Sequence, residues 1–233
     1  MIWKYFHRVY CISVDGREDR RQEVRRQFDR VGLSPLVEFV IVQKHPTDIE
    51  QGIYESHMTC MRRGLEAGAD RMLIFEDDVI FDRFDPGRLE QCVDFLTRHP
   101  EWNLFFLGCM VKRSRPTESR ALVEVEFQCL CHAYGVNRRF AETLVQIPWQ
   151  RVPFDDMLRD LKADHVFAPY PAFAFQSSSP SDNERFLPLD RFRRMCGGLK
   201  RLQKLNAFYH RHRRVIVAGH LVLLGIILGL WIG

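Results

Sequence analysis

Leu73-Ile74-Phe75-Glu76-Asp77-Asp78-Val79-Ile80-Phe81 sets three consecutive carboxylates at the end of an apolar run. Met72 to Phe75 reads as a short buried strand, so Glu76 to Asp78 are expected where that strand meets the next loop, at the sheet edge where ligands of open α/β sheets bind. Carboxylates crowded there repel one another unless a cation sits among them. A hard divalent ion, held by one or two carboxylates and by substrate phosphates, meets that need and points to a nucleotide diphosphate substrate. The other reading of the same residues is a solvated turn in which Asp78 or Asp82 caps a neighbouring element.

Outward from this stretch, strand and helix patterns alternate. Arg8 to Val14 reads as a first strand. Arg17 to Val31 has Val24, Phe28 and Val31 at helical spacing before the stop signal Gly32. Leu36 to Val42 is a second strand candidate, followed by a helix over Gln51 to Glu66 whose Ile53, His57, Met61 and Leu65 share a face. Beyond the acidic turn the pattern predicts a helix over Arg88 to Arg98 and strands over Asn103 to Leu107, Leu122 to Phe127 and Leu130 to Val136. Helices are expected over Asn137 to Gln146, capped by Asn137, and over Phe154 to Leu161. The order implies an α/β domain with a mostly parallel central sheet covered on both sides. Lys112 to Arg120 and Ser177 to Pro188 read as loops, the first a candidate for acceptor contact and the second for closing over a ligand.

The chain of 233 residues is 46% hydrophobic and 27% charged, a globular composition long enough for one full core. Its net charge of +4 is unevenly spread. Residues 191 to 233 hold nine of the 34 Lys/Arg and no acid, so the body before them has 25 basic against 30 acidic residues. An acidic body makes a nucleic-acid role less attractive. Val215 to Gly233 carries no formal charge and is long enough to cross about 30 Å of hydrocarbon as a helix, with Arg211, Arg213 and Arg214 before it. The expectation is a catalytic body over 1–190, a basic connector over 191–214 and a single transmembrane anchor over 215–233. Such an anchor keeps the body at the cytoplasmic face of the inner membrane, and Gly225, Gly229 and Gly233 suggest a homodimer through it. A hydrophobic helix packed on the domain or a partner is the alternative. The N-terminus shows no secretory signal. The seven cysteines are odd in number and scattered without a CxxC pair, as expected of reduced, buried thiols rather than a zinc site.

Four stretches in this order resemble the family 25 glycosyltransferases, the group of bacterial lipopolysaccharide sugar transferases and collagen galactosyltransferases. They are Val9-Tyr-Cys-Ile-Ser-Val-Asp-Gly-Arg-Glu-Asp-Arg-Arg21; Gly52-Ile-Tyr-Glu-Ser-His57; Leu73-Ile-Phe-Glu-Asp-Asp-Val79; and Pro153-Phe-Asp-Asp156 with Gln176 to Asp182. The resemblance spans about residues 8 to 184. It implies a GT-A fold, a UDP-hexose donor (galactose or glucose), a divalent metal, typically manganese with magnesium as the alternative, and inversion at the anomeric carbon.

An inverting transferase needs a base for the acceptor hydroxyl and a cation for the departing diphosphate. On the resemblance, Glu76 and Asp78 take the metal and the nucleotide, with Asp77 adding hydrogen bonds. Asp155 is the first choice for the base and Asp156 the second, helix capping by either being the alternative. Asp15, Arg17 and Arg20 follow the first strand, where a nucleotide would lie and where an Arg can grip a phosphate. Arg21, Arg25 and Arg26 read as a solvated helix face. Ser56 and His57 are candidates for nucleotide-sugar contact, though a neutral core His57 reads equally well. Gln176, Ser181 and Asp182 are expected to help close the site. The acceptor expected for such an enzyme is a lipid-linked or lipopolysaccharide saccharide. The competing expectation is a catalytically silent membrane scaffold of glycan-assembly enzymes.

Overall fold

The computed structural model describes residues 2–177 and 198–232, with side chains to Leu228. Strands β1 (Arg8–Val14), β2 (Val37–Val42) and β3 (Arg71–Glu76) alternate with helices α1 (Glu18–Val31) and α2 (Ile49–Glu66). After β3 come β4 (Val79–Phe81), α3 (Pro86–Arg98), β5 (Leu104–Phe106), β6 (Met110–Pro116), β7 (Leu122–Cys129) and β8 (Ala133–Asn137). Helices α4 (Arg138–Leu144) and α5 (Phe154–Asp160), strands β9 (Val166–Pro169) and β10 (Ala174–Gln176), and helix α6 (Leu199–Ile232) complete the order. Eight strands form one sheet in the order β2-β1-β3-β8-β5-β9-β7-β6, and β4 pairs with β10 in a small ribbon. Following the pairings, β2, β1, β3, β5, β9 and β6 run one way and β8 and β7 the other, so the sheet is mostly parallel in direction and fits a GT-A-like α/β architecture.

Both faces of the sheet are buried, which is why its central strands read as unbroken apolar runs rather than alternations. Tyr10, Ile12, Met72, Ile74, Leu104 and Phe106 pack on one face against α2, α4 and α5. Val9, Cys11, Leu73, Phe75, Phe105 and Leu107 pack on the other against α1 and α3. The caps follow the local chemistry. Asp48 accepts from the Glu50 and Gln51 amides, Asp85 from Arg88, and Asn137 from Phe140, as its side chain predicted. Gly32 ends α1 in the left-handed region at φ +71°. Cys11, Cys60, Cys92, Cys109 and Cys131 are free and buried.

Two differences bear on the expectations. The stretch Lys112 to Arg120 is largely strand, not loop: β6 is the outer edge of the sheet, paired with β7. The expected transmembrane anchor is not supported, since among the described residues no helix is long and apolar enough to cross a membrane. Helix α6 is one continuous element whose first half docks on the body. Lys200 and Lys204 reach Asp82 at 3.2 and 2.5 Å, and Gln203 Nε2 donates to the Ala174 carbonyl at 2.9 Å. The Asn206 amide bonds both Val111 N (2.8 Å) and Val111 O (3.0 Å) on the edge strand.

The docking leaves no room beside Gly108. A Cβ there would stand 1.9 Å from the Ala174 carbonyl oxygen and 2.6 Å from Gln203 Nε2, and the first of these is backbone that cannot swing away. Gly108→Ala should therefore cost about 3 kcal/mol of stability. Thermal unfolding monitored by circular dichroism should show a drop in Tm of about 6–12 °C for a chain of this size.

Candidate active site

A cavity of about 700 Å³ opens where β1, β2 and β3 end. Its walls include Ser13 to Asp15, Arg17 and Arg20, then Gln43 to His45, the acidic turn, the β7–β8 link and the start of α5. Strand β3 carries Glu76 to this edge, and Glu76 N donates to the His132 carbonyl at 2.9 Å, fixing the last residue of the strand. The Asp78 backbone carbonyl accepts from Ser177 N (2.8 Å), and its Oδ2 accepts from Gln176 Nε2 (2.9 Å). The ribbon β4–β10 thus holds the acidic turn in shape.

The three consecutive acids play different parts. Asp77 turns inward and is 8% exposed. It accepts from Ser13 Oγ at 2.7 Å and pairs with Arg20 at 3.3 Å, while Arg21 NH1 reaches Ser13 Oγ (3.2 Å) and Val14 O (2.8 Å). Asp77 is therefore the node of a buried network that ties β1 and α1 to the acidic turn. Arg21 belongs to that network and not to the solvated face expected for it, while Arg25 does lie outside, over Phe39. Glu76 and Asp78 face the cavity. Burial, then the charges of Asp155 and Asp77, push the Glu76 carboxyl up to about 8. Burial and the Glu76 charge push Asp78 up to about 7. Among the described residues, Asp78 Oδ1 has no hydrogen-bond partner.

Asp155 lines the same cavity from the first turn of α5. Its carboxylate does not cap that helix. Instead Oδ2 accepts from Leu130 N at 2.6 Å, so Asp155 holds the β7–β8 link. Asp156 is taken up by Arg159 one turn on. That leaves Asp155 as the acid that confronts Glu76, close enough for its charge to raise the Glu76 pKa.

On the β1 side, Asp15 sits at the rim, accepting from Gln43 Nε2 (3.0 Å) and Gly16 N (2.9 Å), contacts that lower its pKa. Arg17 forms a two-pronged pair with Asp19 at 3.0 Å on each prong. Ser56 donates to Gly52 O at 2.6 Å, back into its own helix. His57 is 1% exposed and held neutral by burial, its pKa down to about 4. The core reading of His57 is therefore the one its surroundings favour. Ser181 and Asp182, and the loop from Ser177 onward except Ser177 itself, lie outside the described residues. The loop candidate Lys112 to Arg120 contributes nothing to the cavity wall.

Sequence reasoning missed His132 and Cys131. His132 is 1% exposed and lines the cavity, and burial lowers its pKa to about 4. Reading Leu130 to Val136 as one strand hid them. The break falls at Cys131-His132, before β8 begins at Ala133.

Glu76 and Asp78 suit a cation shared with a substrate. Among the described residues no three His, Cys, Asp or Glu side chains are gathered into a ready cage. Two neighbouring carboxylates with raised pKa values, and an Asp78 oxygen without a partner among the described residues, fit instead an ion whose remaining ligands would come from diphosphate oxygens and water.

No family model matches the chain. Among solved structures it is similar to A197 from STIV (TM-score 0.47, 14% identity, covering 72% of this chain and 85% of that one). It is also similar to the mannose-1-phosphate geranyltransferase from Thermus thermophilus (TM-score 0.46, 11% identity, covering 71% of this chain and 74% of that one). A glycosyltransferase involved in the glycosylation of the major capsid of PBCV-1 matches with a TM-score of 0.42 and 12% identity, over 81% of this chain and 99% of that one. At these scores and identities the likenesses assign no activity.

Proposed function

We propose that the chain is an inverting glycosyltransferase that moves a hexose, galactose or glucose, from a UDP-sugar to a saccharide acceptor. The observation that supports this reading is that Glu76, Asp78 and Asp155 line one cavity, with Asp155 near enough for its charge to raise the Glu76 pKa. Inverting transfer needs a base and a charge-stabilising group in one site, because the acceptor oxygen must attack the anomeric carbon from the face opposite the departing diphosphate. Asp155, held by Leu130 N, takes the proton from the acceptor hydroxyl as its oxygen bonds to the anomeric carbon. The bond from that carbon to the diphosphate oxygen breaks, and the electron pair leaves with the nucleotide. A divalent cation, manganese or magnesium, bound by Glu76 and Asp78 would neutralise charge on the leaving diphosphate. Arg20, oriented by Asp77, and Asp15 line the part of the cavity next to β1 where the nucleotide would lie. The resemblance in sequence is what suggests a lipid-linked or lipopolysaccharide saccharide as acceptor.

The test is nucleotide release by the purified full chain, measured across UDP-galactose, UDP-glucose and other nucleotide sugars, with and without manganese. Cation-dependent turnover of one donor supports the reading and names the sugar. A folded protein that binds no nucleotide sugar under any of these conditions overturns it.

A further inference from the structure

The two poles sit on separate elements, Glu76 at the end of β3 and Asp155 at the start of a helix only seven residues long. A fixed distance between them therefore needs a part that touches both. His57, on α2, does so. Its Nε2 lies 3.5 Å from Glu76 Oε1, and its ring stacks on Phe154 with centroids 4.2 Å apart and planes 6° from parallel. Phe154 is the residue next to Asp155, so the stack bears directly on the backbone that carries the base. The other ring nitrogen, Nδ1, is 3.0 Å from the hydroxyl of Tyr134 on β8, which is itself fully buried.

We propose that His57 is a positioning residue that sets the spacing between the Glu76 pole and Asp155, with Tyr134 holding its ring in place. The inference rests on the transfer reading for what the two poles do, but the brace itself is a mechanical claim. A neutral imidazole offers one donor and one acceptor. Tyr134 bonds one nitrogen at 3.0 Å, and Glu76 lies in contact with the other at 3.5 Å, so the ring is flanked at both ends. Rotation about its side-chain bonds would break both contacts and part the ring from Phe154. The role assigned to His57, which also lines the cavity, is to act through Glu76 and Asp155.

The two arms of the brace can be cut separately. His57→Phe keeps an aromatic ring against Phe154 but loses both polar contacts; His57→Ala loses everything. Amide hydrogen exchange over Phe154–Asp160 should remain near wild type in H57F and speed up at least tenfold in H57A, with no change in α3, on the far side of the sheet. Donor turnover by the full chain should fall about 10²-fold in kcat in both variants, the cost of a misplaced reacting group, while donor KM stays within about threefold. Tyr134→Phe should lower kcat in the wild-type background and add nothing in H57F, because Tyr134 acts only through His57. Unchanged α5 exchange in H57A overturns the brace, whatever the activity. Faster exchange with no donor turnover by the wild type keeps the brace and sinks the transfer reading instead. Additive losses in Y134F and H57F overturn the role given to Tyr134.

Discussion

Replacing Asp155 by asparagine is expected to cut sugar transfer by about 10²–10⁴-fold while donor binding stays within about threefold. The substitution is chosen to separate chemistry from folding. Asparagine keeps a side-chain oxygen that can accept the Leu130 amide hydrogen, so the β7–β8 link stays anchored. It cannot take a proton from an acceptor hydroxyl. The measurement is kcat for transfer beside the affinity for the nucleotide sugar from calorimetry. Asp156→Asn is the control, because Asp156 is paired with Arg159 and should lose less than about fivefold. A large loss in Asp156→Asn with a small one in Asp155→Asn would exchange their roles.

Glu76→Gln is expected to abolish cation-dependent turnover and, at the same time, to stabilise the free protein above pH 8. Burial and the neighbouring acids raise the Glu76 carboxyl from 4.5 to about 8, so between those values the folded chain holds a proton that the unfolded chain has released. The stability this contributes is fully present below about pH 4.5 and is lost as the pH climbs through about 8. Glutamine has no such proton to lose. A shift of that size corresponds to more than 4 kcal/mol at one unit per about 1.4 kcal/mol. The side chain is 30% exposed, however, and water reaching it reduces the effect to about 2 kcal/mol. Thermal melts should thus coincide for wild type and E76Q near pH 5 and separate by about 4–8 °C near pH 8.5. Manganese should raise the wild-type melting temperature at pH 8.5 and leave E76Q unmoved. A variant that is no more stable than wild type at high pH would mean that the Glu76 carboxylate is solvated as the acidic turn reading supposed.

Much of the fold was legible because its central strands and their helices obey simple periodicities. The run Leu73-Ile74-Phe75 is apolar at every position because both faces of β3 are covered, and the acids after it mark the sheet edge. Strand β6 was not legible. At the outer edge of the sheet, with Lys112, Arg113 and Arg115 among its residues, it lacks any apolar pattern, since an edge strand is charged where it must discourage pairing. The site shows the same division. Glu76, Asp78 and Asp155 stood out as carboxylates in apolar or helix-opening settings. The different duties of Glu76, Asp77 and Asp78 did not, because which acid turns inward depends on Ser13, Arg20 and Arg21, residues more than fifty positions away. His132 was hidden for a similar reason: its placement depends on where β8 starts, and Cys131-His132 looks like strand until the pairing of Ala133 with Phe75 is known.

The side-chain amide of Asn206 does for Val111 what a neighbouring strand would do, offering one donor and one acceptor to an open peptide group. Helix α6 is in that sense a stopper on the sheet. A shortened chain that ends before residue 199 would keep every residue of the cavity up to Ser177 yet expose a template for another molecule's strand, and it should tend to self-associate through β6. Ending instead after His210 would retain Asn206, Lys204 and Gln203 while removing the exposed apolar stretch, and is the boundary at which a shortened protein should stay monodisperse.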